Sequence, residues 1–250
     1  MGICRYFALS LGLLASLGAA DVTDLLQQAA RAEARLDSRT ALALLQQADA
    51  LEPDNSRTLQ RIARQYSDLV VEQPDAAARQ RCATQALQFA QRAVALDPHN
   101  AVNVLSLAVC HGKLAADGDA RTRVRYSRLV REEAERALAL DPGYAWAHHV
   151  LGRWHCEVAT LGPADRFFLQ VFYGGLPGAS LEAGVRELQR ATELEPDELN
   201  HWLELGFACA AAGRPAEARR HWARGLALPS RGKHDEPAKA RARAALARLE

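Results

Sequence analysis

The segment WLELGFACAAAGRPAEARRHWARGLALP, residues 202–229, shows the structural unit of this protein most clearly. Apolar residues recur at helical spacing on both sides of the turn at residues 213–215, which predicts two helices joined by a tight connection. Gly206 and Ala218 are small where two such helices would approach closely, and Trp222 is large enough to fill the space between them. The segment therefore predicts an antiparallel helical hairpin.

The same unit recurs along the chain. Proline cannot donate the next backbone hydrogen bond and restricts the residue before it, so a proline after an apolar helical pattern marks a helix end. One hairpin cannot bury its apolar face alone, which favours stacking of neighbouring hairpins into a solenoid. We predict an all-α solenoid of about four hairpins, closed by a capping helix within residues 236–250. Five helical patterns end in this way, the first four in Leu, an acidic residue and Pro: Pro53, Pro98, Pro142, Pro196 and Pro229.

Residues 202–222 resemble the tetratricopeptide repeat, with Cys209 in place of the usual tyrosine and Trp222 in place of the usual phenylalanine. That repeat is about 34 residues long, whereas the first four prolines are separated by 45, 44 and 54 residues. The longest interval contains RFFLQVFYGG, residues 166–175, in which four of ten positions are aromatic. We predict a tetratricopeptide-like solenoid with an inserted aromatic helix at 164–179.

The N-terminal segment, residues 1–20, has one arginine near its start, an uncharged apolar run and small residues before Asp21. This layout is typical of a signal peptide. It predicts an exported, periplasmic protein whose mature part, residues 21–250, forms the solenoid. A membrane anchor that is not cleaved is the alternative, although the uncharged run is shorter than a spanning helix requires.

Several stretches resemble, in the same order, the regulator of microtubule dynamics family of tetratricopeptide proteins. The most particular of them joins the aromatic segment to Gly-Leu-Pro and Ala-Ser before the next helix. The resemblance implies a helical interaction domain without catalysis. Animal members are associated with microtubules and membrane contact sites, and one is a tether whose repeat domain binds lipid. A bacterial homologue would share the fold without the microtubule role. The stretches are LQRIARQYSDL (59–69), ALQFAQRAVALDP (86–98), HVLGRWHCEVA (149–159), VFYGGLPGASLEAGVRELQRATELEPD (171–197) and LELGFACAAAGRPAEARRHWARGLALP (203–229).

The aromatic insertion allows two interpretations. Its side chains pack into the inner groove of the solenoid as core, or they line an apolar groove over residues 167–176 that takes a lipid tail or a partner's amphipathic helix. The insertion supplies the candidate groove residues Phe167, Phe168, Phe172, Tyr173 and Leu176. The tetratricopeptide register places further candidates on the inner face, namely Arg61, Arg64, Leu105, His149, Arg153, Leu203 and Phe207.

A basic patch is predicted where Arg121, Arg125 and Arg128 share one helix face. It could dock to phospholipid headgroups or to an acidic protein, and a solvated helix face is the alternative. The solenoid fold favours a protein-interaction scaffold that binds a helix or an extended peptide on its concave face. A lipid carrier or membrane tether is the first alternative. A microtubule-associated protein is the second, if the source is eukaryotic, since an exported protein would not meet tubulin.

Cysteine and histidine positions argue against a metal site. Four cysteines remain after residue 20, each in a helical pattern, and we interpret them as small core residues, with a disulfide as the alternative. His148 and His155 share a helix face but are two turns, about 10 Å, apart, which is too far to hold one ion without a ligand between them. The cysteines are Cys82, Cys110, Cys156 and Cys209.

Charge balance and motif content exclude further functions. Thirty-one basic and thirty acidic residues give a net charge of +1, so no overall field draws the protein to nucleic acid. The stretch GGLPGAS, residues 174–180, has glycines but no phosphate-binding lysine, and is interpreted as a loop. No nucleophile has a base at a meaningful spacing. We expect no nucleic-acid partner, no cofactor and no enzymatic activity.

Overall fold

The structure is a computed structural model that describes residues 21–249. The expected signal segment, residues 1–20, lies outside the described residues. Between residues 21 and 249 the chain is helical without strands, and a short 3-10 turn, Val70–Glu72, follows the third helix. The α-helices of this part are α1 (Val22–Ala34), α2 (Ser38–Leu51), α3 (Ser56–Leu69), α4 (Ala76–Leu96), α5 (Ala101–Ala116), α6 (Ala120–Leu140), α7 (Ala145–Ala159), α8 (Pro163–Tyr173), α9 (Leu181–Leu194), α10 (Leu199–Ala211), α11 (Pro215–Ala227) and α12 (Asp235–Leu246).

Helix boundaries follow the local chemistry of the sequence. Four helices end two residues before a proline, as predicted, at Leu51, Leu96, Leu140 and Leu194. Many helices begin at a residue whose side-chain oxygen accepts a hydrogen bond from an otherwise unpaired backbone N–H of the first turn. These capping residues include Asp21, Asp37, Asn55, Asp75, Asn100, Asp119 and Ser180.

The helices pair into hairpins that stack in chain order. The pairs are α1–α2, α3–α4, α5–α6, α7–α9 and α10–α11, and α12 packs against α10 and α11 as the expected cap. The predicted all-α, tetratricopeptide-like solenoid is confirmed. It has five hairpins between residues 21 and 227, one more than the four proline-to-proline intervals, because α1–α2 lies before Pro53.

Small residues let the paired helices approach closely. A Cβ atom on Gly206 of α10 would lie 2.4 Å from Trp222 Cδ1 of α11, and one on Gly152 of α7 would lie 2.7 Å from Leu188 Cγ of α9. Trp222 is only 2% exposed and donates its Nε1–H to the Leu203 carbonyl oxygen at 3.2 Å. The hairpin interior is therefore filled as the sequence predicted.

The solenoid curves around its first helices. Each hairpin has a first and a second helix in chain order. In hairpins two to five each first helix contacts the first helix of the next hairpin, in the order α3, α5, α7 and α10, whereas the second helices do not contact one another in this way. Helices that touch on one side of an arc and spread apart on the other form its concave and convex faces, respectively. The concave face therefore belongs to α3, α5, α7 and α10, and α6 is an outer helix.

The loop that precedes α12, residues 228–234, joins the last hairpin to the second. We name it the bridging loop. Lys233 forms an ion pair with Glu72 and donates a hydrogen bond to Ser38 Oγ at 3.2 Å. His234 Nε2 lies 3.2 Å from Asp68 Oδ1 at the end of α3. These contacts connect both ends of the arc, so the bridging loop crosses the concave side.

The inserted aromatic helix differs from the prediction in length and in packing. α8 spans Pro163–Tyr173 rather than 164–179, because Gly174 adopts a left-handed conformation (φ 71°) that ends the helix. None of its residues is buried, so the interpretation of α8 as a core element in the inner groove is wrong. The physical reason is that α7 and α9 pack directly on each other and leave no space for an inserted helix. α8 instead lies beside α6.

Candidate functional site: the cleft between α6 and α8

An open cleft of about 560 Å³ lies between α6 and α8. Apolar side chains form part of its wall, and arginines and a glutamate form the rest. The predicted basic patch and the end of the aromatic segment therefore meet at one place. The lining residues are Arg121, Val124, Arg125, Arg128, Leu129, Glu132, Phe172 and Tyr173.

Arg128 holds α8 against α6. Its Nη2 donates to the Tyr173 carbonyl oxygen at 2.8 Å and its Nε donates to the Gly175 carbonyl oxygen at 3.1 Å. The last carbonyls of a helix lack partners within the helix and carry partial negative charge, so a guanidinium is a favourable partner there. Arg128 is therefore a structural member of the patch, whereas Arg121 and Arg125 form no ion pair within residues 21–249 and keep their charge at the rim.

The aromatic side chains of α8 are exposed to an unusual degree. Phe167 is 71%, Phe172 65% and Val171 57% exposed, although α8 has only eleven residues. Phe168, at 44% exposure, packs its ring 4.8 Å from that of Phe172 and 5.8 Å from that of Tyr173. A contiguous exposed apolar surface of this kind marks an interaction site more often than an isolated apolar residue does.

The inner-face candidates do not join this cleft, and several of them do not line any groove. Leu105 and Leu203 are 4% and 0% exposed in the core, and His149 is 5% exposed, so their placement on a binding surface is wrong. His149 is covered by His201 of the neighbouring first helix, whereas Leu203 packs against Gly225 of α11 inside its own hairpin. Arg61 is held by Glu33 of α1, with nitrogen–oxygen distances of 3.1 and 2.9 Å.

The three other inner-face candidates are accessible. Arg64 and Arg153 are exposed, and Phe207 is half-buried. Arg153 and Phe207 lie next to a group of paired arginines and glutamates. Arg153 Nη2 donates to Glu157 at 2.7 Å, and its Nε lies 3.9 Å from Glu204. Although 45% of its side chain is exposed, loss of water to the surrounding atoms acts to lower the pKa of Arg153, but Glu204 and Glu157 outweigh this effect and raise the pKa. Arg241 of α12 pairs with Glu204 and covers the Phe207 ring at 4.3 Å. Arg153 and Arg241 are thus neutralised by the protein's own glutamates, whereas Arg64 forms no ion pair within residues 21–249. The structure separates the single predicted groove into the concave face and the cleft.

A buried histidine pair connects α7 to α10. His149 Nδ1 lies 2.9 Å from His201 Nδ1, and the Trp146 ring lies 5.0 and 4.8 Å from their rings. One imidazole must donate and the other accept, so the contact requires a neutral acceptor. Burial lowers the pKa of His201 to about 4, and burial together with the His201 neighbour lowers that of His149 well below its usual range. No local pattern indicates that these histidines, 52 residues apart, meet in the fold.

The two histidines considered for metal binding have separate roles. His148 Nδ1 lies 2.6 Å from Glu187 Oε2, and the His155 ring packs edge-on against Trp154 at 5.1 Å. The thiols of the four cysteines after residue 20 are free in the structure. One of them lies beside a glutamate and a histidine spaced four residues apart on α11. This spacing is a signal that sequence reasoning missed, and the three residues are Cys209, Glu217 and His221.

Fold and surface define a helical-repeat solenoid with an exposed aromatic insertion. The sequence model of the family described as "Regulator of microtubule dynamics protein 1-3" matches residues 25–250, so the chain belongs to that family and the predicted resemblance is confirmed.

The curated relatives share modest identity with the chain. Regulator of microtubule dynamics protein 3 of Xenopus laevis is 29% identical over 63% of this chain and 34% of its own length. The protein of the same name from Bos taurus is 26% identical over 88% of this chain and 47% of its own. Regulator of microtubule dynamics protein 1 of Bos taurus is 24% identical over 45% of this chain and 36% of its own. The chain thus spans less than half the length of these relatives.

Solved structures support the fold. TTC0263, a thermophilic TPR protein of Thermus thermophilus, superposes with a TM-score of 0.68 at 19% identity, covering 91% of this chain and 100% of that one. MamA from Desulfovibrio magneticus gives a TM-score of 0.50 at 17% identity, over 83% of this chain and 94% of that one. Among residues 21–249, no helix combines the length and the apolarity needed to cross a membrane.

Proposed function

We propose that the chain is a non-catalytic interaction scaffold and that the cleft between α6 and α8 binds an acidic, amphipathic segment of a partner protein. The observation that carries the proposal is the exposure of the α8 aromatic side chains next to Arg121 and Arg125. An amphipathic segment would place apolar side chains against Phe172 and Leu129 and carboxylates against the two arginines. The partner and its acidic character are our inference from this chemistry.

The charge distribution favours the cleft over the concave face. Arg153 and Arg241 of the concave face already pair with Glu157 and Glu204, and the bridging loop crosses that side. A partner there would have to displace contacts that the protein makes with itself. Arg121 in the cleft forms no ion pair within residues 21–249, so a partner's carboxylate can pair with it without breaking one.

A lipid carrier or tether is the second candidate, favoured by the combination of exposed aromatic side chains and arginines. An acyl chain is best retained in an enclosed apolar cavity, whereas this cleft is open to solvent and partly polar. The names of the curated relatives make microtubules a further candidate partner for a chain that stays in the cytoplasm. Export through residues 1–20 remains part of the proposal, and it would restrict partners to proteins outside the cytoplasm.

Photo-crosslinking in the native host tests the proposal. A photoreactive residue placed at Val171 of α8 is expected to capture a polypeptide, because Val171 is 57% exposed beside the cleft. Leu51, 56% exposed at the end of α2, provides a matched control position that should not capture it. Charge reversal by Arg121→Glu with Arg125→Glu should abolish the product at Val171.

Three results would contradict the scaffold at this cleft. They are equal capture at both positions, capture that survives the charge reversal, and a lipid that copurifies in native mass spectrometry and is lost with the same reversal. Cosedimentation with microtubules, with and without the charge reversal, tests the remaining candidate partner. Phe168→Ala with Phe172→Ala should reduce capture while leaving the melting temperature within about 2 °C, because exposed side chains contribute little to stability.

A further inference from the structure

Three side chains with metal-binding chemistry meet between α10 and α11. Cys209 lies near the end of α10, and Glu217 and His221 lie one turn apart on α11. Each offers one ligand atom, and the three atoms lie within 4.8 Å of one another. Cys209 is 0% exposed, whereas the other two are half-buried and leave the site open on one side. We propose that Cys209, Glu217 and His221 bind one divalent cation of the zinc class.

The geometry is close to that of a bound ion. Three points that lie within 4.8 Å of one another fit inside a circle of about 2.8 Å radius, whereas zinc lies about 2.0–2.3 Å from sulfur, nitrogen and oxygen ligands. An inward movement of about 0.5–0.8 Å per atom is therefore enough, and χ rotations of Glu217 with small shifts of the other two side chains can supply it. Thiolate, imidazole and carboxylate together select zinc over magnesium or calcium, which prefer oxygen ligands.

These side chains have no other polar partner that would explain their meeting. Within residues 21–249, the Cys209 thiol, the Glu217 carboxylate and the His221 ring form no side-chain hydrogen bond or ion pair. The His221 ring stacks on Trp202 at 5.8 Å with an interplanar angle of 27°, which restricts its orientation. The site therefore holds three unpaired ligands, one of them on a fixed ring.

The other three cysteines lack such surroundings. Cys110 contacts Ser67 at 3.7 Å, and Cys82 donates to the Tyr66 carbonyl oxygen at 3.3 Å. Cys156 packs where a Cβ atom on Gly184 would lie 2.4 Å from its sulfur. Among the cysteines that the structure describes, Cys209 is the one that belongs to a three-ligand group.

The neighbouring charges are compatible with a cation. Without metal, burial and then Glu217 raise the pKa of the Cys209 thiol, so metal binding displaces a proton from it. Burial lowers the pKa of His221 despite the opposing effect of Glu217, so its imidazole is available as a neutral ligand. Two arginines lie near the site: Arg214 pairs with Glu182 at 2.6 Å, and Arg220, next to His221 on the solvent side of α11, forms no ion pair within residues 21–249. A bound cation would neutralise the negative charge of Glu217 and would connect α10 to α11.

Cobalt substitution tests the site directly. The untagged full chain is freed of metal with a chelator and titrated with Co²⁺, which reports a sulfur ligand through a thiolate-to-metal charge-transfer band. We expect one equivalent of Co²⁺ to bind and to give this band. Addition of Zn²⁺ should displace the Co²⁺ and remove the band. Cys209→Ala should abolish the band. The matched control Cys110→Ala removes another buried thiol and should retain it.

Substitution of the ligands on α11 keeps the test decisive if Cys209→Ala does not fold. Glu217→Gln and His221→Asn alter half-buried side chains, and each should weaken Zn²⁺ affinity by at least about tenfold, since even indirect partners of a metal site contribute that much. Zn²⁺ should also raise the melting temperature of the unaltered chain but not of the folded variants. Absence of the band in the unaltered chain, or its persistence in both Glu217→Gln and His221→Asn at unchanged affinity, would overturn the proposal.

Discussion

The buried pair His149 and His201 predicts that the protein loses stability as the pH falls from neutral to mildly acidic values. Both pKa values are lowered in the folded state, so the unfolded chain binds protons that the folded chain does not. For such groups the stabilisation is complete above the unfolded pKa, about 6.5, and is lost as the pH falls towards the folded pKa. The pH window is therefore from about 7.5 down to about 4.

The size of the effect follows from the unfolded pKa alone. At pH 5 a histidine of pKa about 6.5 is almost fully protonated in the unfolded chain, which favours unfolding by about 2 kcal/mol for each histidine that stays neutral in the fold. His201 therefore costs about 2 kcal/mol between pH 7.5 and pH 5, and His149, whose pKa is lowered in the same direction, adds to this loss. Burial also lowers the pKa of His111 to about 4, so His111 adds a similar loss of stability. This loss is the same in every variant below.

The assay is urea unfolding of the unaltered chain and of His201→Gln at about pH 7.5 and about pH 5. Glutamine can still bond with His149 but does not titrate, so the loss between the two pH values should shrink by about 2 kcal/mol. His149→Gln with His201→Gln should shrink it further, because neither side chain of the pair then titrates. His99→Gln, at an exposed position, is the matched control. An equal loss in the unaltered chain and in the double variant would refute the reasoning.

Three further predictions concern packing, the insertion and the bridging loop. Gly206→Ala should reduce the free energy of unfolding, measured by urea titration, by about 1–3 kcal/mol, because Trp222 leaves no space for the added methyl group. Gly178→Ala is the control and should change this free energy little, because its added methyl group meets no neighbour. Arg128→Ala should speed amide hydrogen exchange across residues 163–180 by about tenfold or more, because it removes charged hydrogen bonds that each contribute about 1.5 kcal/mol or more. Arg121→Ala removes no such bond and should leave the exchange rate unchanged. Lys233→Ala should lower the free energy of unfolding by about 1 kcal/mol at low salt, with a smaller difference at high salt, and an equal difference in both would argue against an ionic contact.

The fold could be predicted because its signals are local. Each Leu-acid-Pro sequence ends a helix through the backbone chemistry of proline. The small Gly206 opposite the large Trp222 indicates how two helices pack. The family resemblance extended this prediction to nearly the whole chain, and the match over residues 25–250 confirms it.

The candidate site could be predicted only in part, because a repeat register describes one hairpin and not its neighbours. It placed His149 and Leu203 on an open inner face but could not show that His201 of the next hairpin covers His149 or that Leu203 packs against α11. The apolar spacing of α8 predicted a helix but not its partner, which is set by the Arg128 hydrogen bonds from 45 and 47 residues away. Contacts between distant hairpins, such as Lys233 with Glu72, have no local signal at all.

The bridging loop changes how this solenoid would lose its structure. In an open stack of repeats the terminal units contact one neighbour only, so unfolding starts from the ends and proceeds stepwise. Here Lys233 and His234 bind Glu72 and Asp68, so the hairpins between them form a closed circuit in which no unit is terminal. Unfolding of any hairpin in the circuit must also break the closure. Hairpins two to five should therefore unfold more cooperatively than an open stack of the same length, and cutting the bridging loop should let this stack fray from its ends.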